Sequence, residues 1–341
     1  MEHPFKKIGK KVAVVGCKHT TRDFILGLES YGFFINHCVT ISPKKGRRHK
    51  VFGYYDLQPL LERKSIPYTI AENYSLKSKQ DMEKLLDLEL DMLLVIGWQR
   101  LIPDWFLNSL SIGAFGMHGS SKPLPHGRGR SPLNWSLIQD KKIFFTHLFR
   151  YKPGIDDGDI VDFQIFDITN LDNCLTLHHK NLVSMLKLCV NNLPSLLDGT
   201  AKLKAQPKDG VSYYPKRRPS DGIIYWNDSS QEIYNLIRAV TKPYPGAFTY
   251  LCDDPMKKVY IWKAIPFDTH IRWDAEPGEI VQVFYDSSFI VKTGDTSIIV
   301  LESEGCEFTE KDKGKFLGHL NKPRKLWGEL PRLHAPTRDN M

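Results

Sequence analysis

His118 stands where the apolar run Ala114–Gly116 gives way to a loop rich in Gly, Pro and Ser, and that loop carries Arg128 and Arg130 before it reaches Ser131-Pro132. An imidazole exchanges protons near neutral pH and can serve as acid or base. Two guanidinium groups beside the free amides of a helix start suit a phosphate or diphosphate. Ser131 is expected as the N-cap of that helix and Pro132 as its first-turn residue, which would anchor the loop. The second group lies between Pro153 and Asp162, where Asp156, Asp157, Asp159 and Asp162 crowd one turn. A plain acidic turn is one reading, since Asp and Gly favour turns. A Mg²⁺ or Ca²⁺ site is another, but the spacing is not that of an EF-hand and no bidentate Glu follows, so no metal is expected.

The elements that must position these groups follow from the hydrophobic pattern. From Lys11 to about Thr200 short apolar runs alternate with amphipathic stretches, the pattern of a mostly parallel sheet with helices on both faces. KVAVVG (11–16), FINHCVTI (34–41), a short run at 67–70, MLLVIG (92–97) and AFGMHG (114–119) read as strands. The last two should end at one edge of the sheet, where open α/β folds bind ligands. KIFFTHLFR and DIVDFQIFDI form an expected hairpin joined by YKPGIDDG, and 173–197 reads as a long helix. Lys, Pro and Gly cluster at 201–221 as a linker or crossover between domains. Beyond it Ser229-x-x-Glu232 is a capping box, and several short alternating strands suffice for a small closed barrel.

A chain of 341 residues fits two domains, and a net charge of +8 favours an anionic partner such as a nucleotide or RNA. The basic run PKKGRRHK (43–50) is expected in a loop. The six cysteines are scattered and read as reduced packing thiols. No apolar run is long enough to span a membrane and no signal peptide is apparent, so a cytoplasmic protein is expected. The dinucleotide fingerprint G-x-G-x-x-G is missing after KVAVVG, which argues against a nicotinamide-dependent dehydrogenase.

Taken in order, these segments resemble the formyltransferase family that uses 10-formyltetrahydrofolate. GMHGSSKPLPHGRGRSPLNW (116–135) is similar to its active-site strand and loop, Asn-x-His-x-Ser followed by a Pro-rich stretch, Arg-Gly and a helix. PGIDDGDI resembles its Leu-Asp-x-Gly-Asp-Ile turn, with the catalytic aspartate falling on Asp156. YYPKRRPSDGIIYW (213–226), EIYNLIRAVTKPYPGAFTYL (232–251) and VYIWKA (259–264) are similar to its C-terminal barrel. GRGRSPLNW and RAVTKPYPGAF are nearer in texture to the branch acting on nucleotide-linked 4-amino sugars than to methionyl-tRNA formyltransferase.

The resemblance implies a doubly wound, Rossmann-like α/β catalytic domain at 1–205, an OB-like β-barrel domain at 206–308 and an extended tail at 309–341. It implies 10-formyltetrahydrofolate as formyl donor, a nucleotide-sugar acceptor, and His118 and Asp156 as the catalytic pair. Arg130, Arg128 and Ser120 would meet the substrate, while Trp98, Arg100, Leu101, Ile102, Gly154 and Ile155 would surround the cofactor. A tRNA acceptor, a homodimer, and a binder without turnover are kept as alternatives. The motive for the last is Gly116, which stands where the family places asparagine. That amide would face the charge developing on the formyl oxygen, and one such donor is typically worth about 3 to 4 kcal/mol. A backbone amide, a water or Asn134 could replace it, although Asn134 is expected at the surface.

Overall fold

The computed structural model describes residues 9–254 and 256–318, with the backbone of Leu330 and Pro331. Buried apolar strands form first. β1 (Val12–Val15) is buried at every position, as are β2 (His37–Thr40) and β4 (Met92–Val95). Because successive side chains in a strand point to opposite faces, Val12, Val14, Met92 and Leu94 join one core while Ala13, Val15, Leu93 and Val95 join another. The first core is covered by α1 (His19–Ser30) and the second half of α7 (Cys174–Asp198), the second by Trp98, Phe106 and Tyr74. Two covered faces are what a parallel sheet requires.

β3 (Tyr68–Ile70) and β5 (Gly113–Ser120) complete the parallel part, and β7 (Ile143–Arg150) and β8 (Ile160–Asp167) extend it antiparallel, in the order β3-β2-β1-β4-β5-β7-β8. Chain direction reverses beside β5, so His118 lies directly opposite His147. The basic run expected as a loop is instead the short helix α2 (Pro43–Arg48): the Ser42 hydroxyl accepts from the Lys45 amide and Pro43 opens the first turn. Sequence patterning also passed over α5 (Asp104–Ser109), a six-residue helix without a side-chain cap.

α7 has its N-cap at Asn173, whose side chain accepts from the amides of Leu175 and Thr176, and it stops at Gly199, where φ is +79°. The capping box of α8 (Ser230–Val240) is formed as expected: the Glu232 amide donates to Ser229 Oγ, and the Ser229 amide donates to Glu232 Oε2. The second sheet runs β12-β13-β14-β11-β10-β15, from Ile280–Val283 through Phe289–Lys292, Ser297–Glu304, Lys258–Asp268 and Ala247–Leu251 to Leu317–Gly318. It curls until its outer edges meet: the Leu317 amide donates to the Gly278 carbonyl and the Ile280 amide to the Lys315 carbonyl.

Two expectations change here. The tail does not begin at 309, because residues 310–318 return to the barrel, where Leu317 and Gly318 pair with Leu251 and Tyr250; residues 319–329 and 332–341 lie outside the described ones. The stretch 201–221 is more than a linker. Within it β9 (Ser212–Tyr214) pairs in parallel with β6 (Arg128–Gly129). One apolar cluster runs from α6 (Pro132–Ile138) and Phe144 through α8 into the barrel, so the two parts share a core.

Candidate active site

Gly116 is the last residue of β5 paired in parallel with β4, opposite Val95, and His118 lies just past the end of that pairing on the same face, since residues two apart in a strand share a face. The turn after β7 brings Asp156 back beside them. Asp156 adopts the left-handed conformation, φ +49°, which Asp tolerates better than bulkier residues. Its carboxylate accepts the Gly129 amide at 2.9 Å, and the same oxygen lies 3.4 Å from His118 Nδ1. His118 Nε2 is 2.8 Å from the Gly127 carbonyl. A carbonyl oxygen can only accept, so Nε2 carries a proton and proton exchange falls to the Nδ1 edge, towards Asp156.

Gly129 is required at its position, where φ is +98° and a Cβ would stand 2.6 Å from the Tyr214 carbonyl. The Arg130 amide donates to that carbonyl, which continues the β6–β9 pairing. The turn itself is held from below. Gln206 Nε2 donates to the carbonyls of Asp156 and Gly158, 2.8 Å each, and Arg128 donates to Gln206 Oε1 from Nε at 3.2 Å and from Nη2 at 2.7 Å.

A cavity of about 860 Å³ opens over this arrangement. Trp98, Arg100, Leu101, Ile102, His118, Arg130, Gly154, Ile155 and Asp156 all line it, so nine of the residues singled out in the sequence are brought together. Trp98 packs edge-on against Tyr74, and its buried indole N–H has no partner among the described residues. Arg130 and Arg100 repel one another: burial, then Arg100, lowers the Arg130 pKa. Lys18, at the start of α1, is pushed down to about 8 by burial, with Arg130 adding to the effect.

Other expected site residues are elsewhere. Arg128 is 7% exposed and engages Gln206 and Tyr213, so it braces the turn and does not line the cavity. Ser120 is fully buried and packs against Gly127. Ser131 occupies the N-cap position with φ +55° and no capping hydrogen bond from its side chain, because the chain enters the helix through a left-handed residue. Asn134 is neither at the surface nor a substitute for the missing amide; it is 2% exposed and donates to the Ala239 carbonyl across the joint between domains. Sequence reasoning passed over Gln206 and Tyr151. Gln206 lies in a polar stretch with no local motif, and Tyr151 opens a turn in which the aspartates carry the visible signal. Among the described residues no group of three or more His, Cys, Asp or Glu could hold a metal ion, and no helix is long and apolar enough to cross a membrane.

The fold and site define a two-part α/β protein with a ligand cleft at the ends of its central strands and a small curled sheet behind it. Residues 216–308 match the family described as formyl transferase, C-terminal domain. The bifunctional polymyxin resistance protein ArnA of Wigglesworthia glossinidia brevipalpis is 32% identical over 250 residues, 72% of this chain and 36% of that protein. Among solved structures, HypX from Aquifex aeolicus in complex with tetrahydrofolic acid aligns with a TM-score of 0.62 at 14% identity, over 86% of this chain and 44% of that one. The N-formyltransferase from Helicobacter canadensis, in complex with folinic acid and dTDP-3-aminofucose, aligns at 0.58 and 17% identity, over 85% of this chain and 98% of that one. Residues 216–308 thus belong to the formyl transferase C-terminal domain family, and the chain as a whole is similar to ArnA. It spans less than half the length of ArnA and of HypX.

Proposed function

We propose that this protein transfers a formyl group from 10-formyltetrahydrofolate to the amine of a nucleotide-linked 4-amino sugar. The observation that carries this reading is the His118–Asp156 pair at the wall of a cleft that also holds Arg100 and Arg130. The cleft fits a pterin: it has the volume of a small-molecule site, apolar walls at Leu101 and Ile102, and an orphaned donor at Trp98 Nε1. Trp98, Arg100, Leu101, Ile102, Gly154 and Ile155 would hold it. The donor supplies the formyl carbon, which gains a bond to the acceptor nitrogen as its bond to the donor nitrogen breaks, while one proton passes from acceptor to donor nitrogen.

His118 and Asp156 hold and move that proton. The protonated Nε2 is fixed on the Gly127 carbonyl, which leaves Nδ1 and the Asp156 carboxylate to relieve the attacking amine. Gly129 and Gln206 keep the carboxylate aimed while this happens. Arg130, crowded by another cation, gains from an anionic group such as the diphosphate of the acceptor. The test is a formyl-transfer assay with nucleotide-linked 4-amino sugars and methionyl-tRNA, comparing the protein with His118→Ala. Turnover on an amino sugar that disappears in the variant supports the reading; turnover on the tRNA alone replaces the acceptor, and none on any amine rejects formyl transfer.

A further inference from the structure

Attack on a formyl carbon drives negative charge onto the formyl oxygen, and a donor aimed at that oxygen is among the largest contributions an acyl-transfer site can make. Gly116 shares a face of β5 with His118 but has no side chain to offer. The space beside it is filled. A Cβ at residue 116 would meet Tyr151 Cε2 at 2.5 Å and Tyr151 Oη at 3.1 Å, as well as the Val95 carbonyl at 2.9 Å. The glycine and the tyrosine are therefore complementary: the ring lies where a larger residue at 116 would begin.

Resting on the formyl-transfer reading, we propose that Tyr151 is a further catalytic residue, whose hydroxyl donates to the formyl oxygen as its charge develops. Tyr151 lines the same cavity as His118 and Asp156. Gly116 and His118 lie two residues apart on one face of β5, so the phenol over Gly116 and the imidazole of His118 line the same cavity. The ring is held by stacking on Phe149, with centroids 5.1 Å apart and planes at 15°, and its backbone amide donates to the Ala114 carbonyl. Among the described residues the hydroxyl makes no hydrogen bond that would compete. Burial, reinforced by the Asp156 charge, holds the phenol above its ordinary range, so it remains a donor.

The experiment combines Tyr151→Phe, Gly116→Asn and the double variant Gly116→Asn/Tyr151→Ala with two readouts. Turnover should fall roughly 100- to 1,000-fold in Tyr151→Phe with KM little changed. Independently of turnover, the formyl C=O stretch of bound 10-formyl-5,8-dideazafolate, isolated by ¹³C difference Raman spectroscopy, should be at lower frequency in the native protein than in Tyr151→Phe. Gly116→Asn alone should melt earlier, and the double variant should recover both melting temperature and part of the activity. An unchanged rate and an unchanged stretch in Tyr151→Phe would overturn the assignment while leaving formyl transfer intact. A native protein that shows the frequency shift but forms no formamide with any amine would overturn the functional reading and retain the contact.

Discussion

Arg128 and Gln206 form a two-bonded clamp on a single amide oxygen, and the other end of that amide spans the carbonyls of Asp156 and Gly158. An arginine with the sequence position of a ligand-binding residue thus acts two bonds away from the cleft. A planar guanidinium can place two donors on one acceptor with fixed geometry, which a lysine cannot.

Arg128→Lys should therefore not behave as a conservative change. With Asp156 no longer held in place, turnover is expected to drop roughly 10- to 100-fold, as small misplacements of reacting groups do. The Gln206→Leu variant should reproduce the loss, and the two losses together should be less than additive, since both break one chain of contacts. A kinetic double-mutant cycle measures this directly.

His118→Ala and Asp156→Asn should each lower kcat by about 100- to 10,000-fold, the usual range for a positioned proton-transfer group. Folate binding, followed by quenching of tryptophan fluorescence, should survive in both, because Trp98 and Trp105 line the cleft independently of the pair. Loss of binding together with turnover would mark the pair as structural.

Arg130→Ala should weaken an anionic acceptor far more than the donor. In a thermal-shift series, a nucleoside diphosphate should raise the melting temperature of the native protein, and the increment should shrink in the variant, as expected for a ligand that binds only the folded state. Equal increments would remove Arg130 from the acceptor site.

The fold declared itself in the sequence wherever one physical effect dominated. Val12–Val15 and Met92–Val95 are buried on both faces and were readable as central strands, and the Ser229–Glu232 box marked its helix start because the signal is local. Pairing of Arg128–Gly129 with Ser212–Tyr214 is nonlocal and involves backbone groups, so no periodicity announces it. Asn134 looked polar and therefore exposed, yet burial is acceptable because Ala239 supplies an acceptor. His118 and Asp156 stood out in the sequence through a motif, and the fold places them 3.4 Å apart; that Tyr151 fills the space at Gly116 depends on a contact 35 positions apart, which only the folded chain displays.

Acid should destabilise the protein through His147, which is 1% exposed and lies opposite His118. Burial, then the neighbouring His118, pushes its pKa down to about 4. The unfolded chain binds the proton more readily, so this contribution is fully present above the ordinary histidine pKa and is lost as pH falls towards 4, amounting to about 3 kcal/mol for one such group. His178, also pushed down to about 4, acts in the same direction. Urea unfolding between pH 7 and 4.5 should show a decline that is shallower in His147→Gln; an identical slope would mean that His147 does not titrate on unfolding.

Because β9 is stitched to β6, the backbone that presents Gly129 to Asp156 depends on residues 212–214. A fragment ending at 205 would keep His118 and Asp156 and lose the seam that shapes their surroundings, along with Gln206 itself. For anyone exchanging modules between relatives, the interchangeable unit is not the Rossmann-like half; the crossover belongs beyond Tyr214, where Trp135 Nε1 also donates to the Pro215 carbonyl and ties the helix after the loop to the same strand.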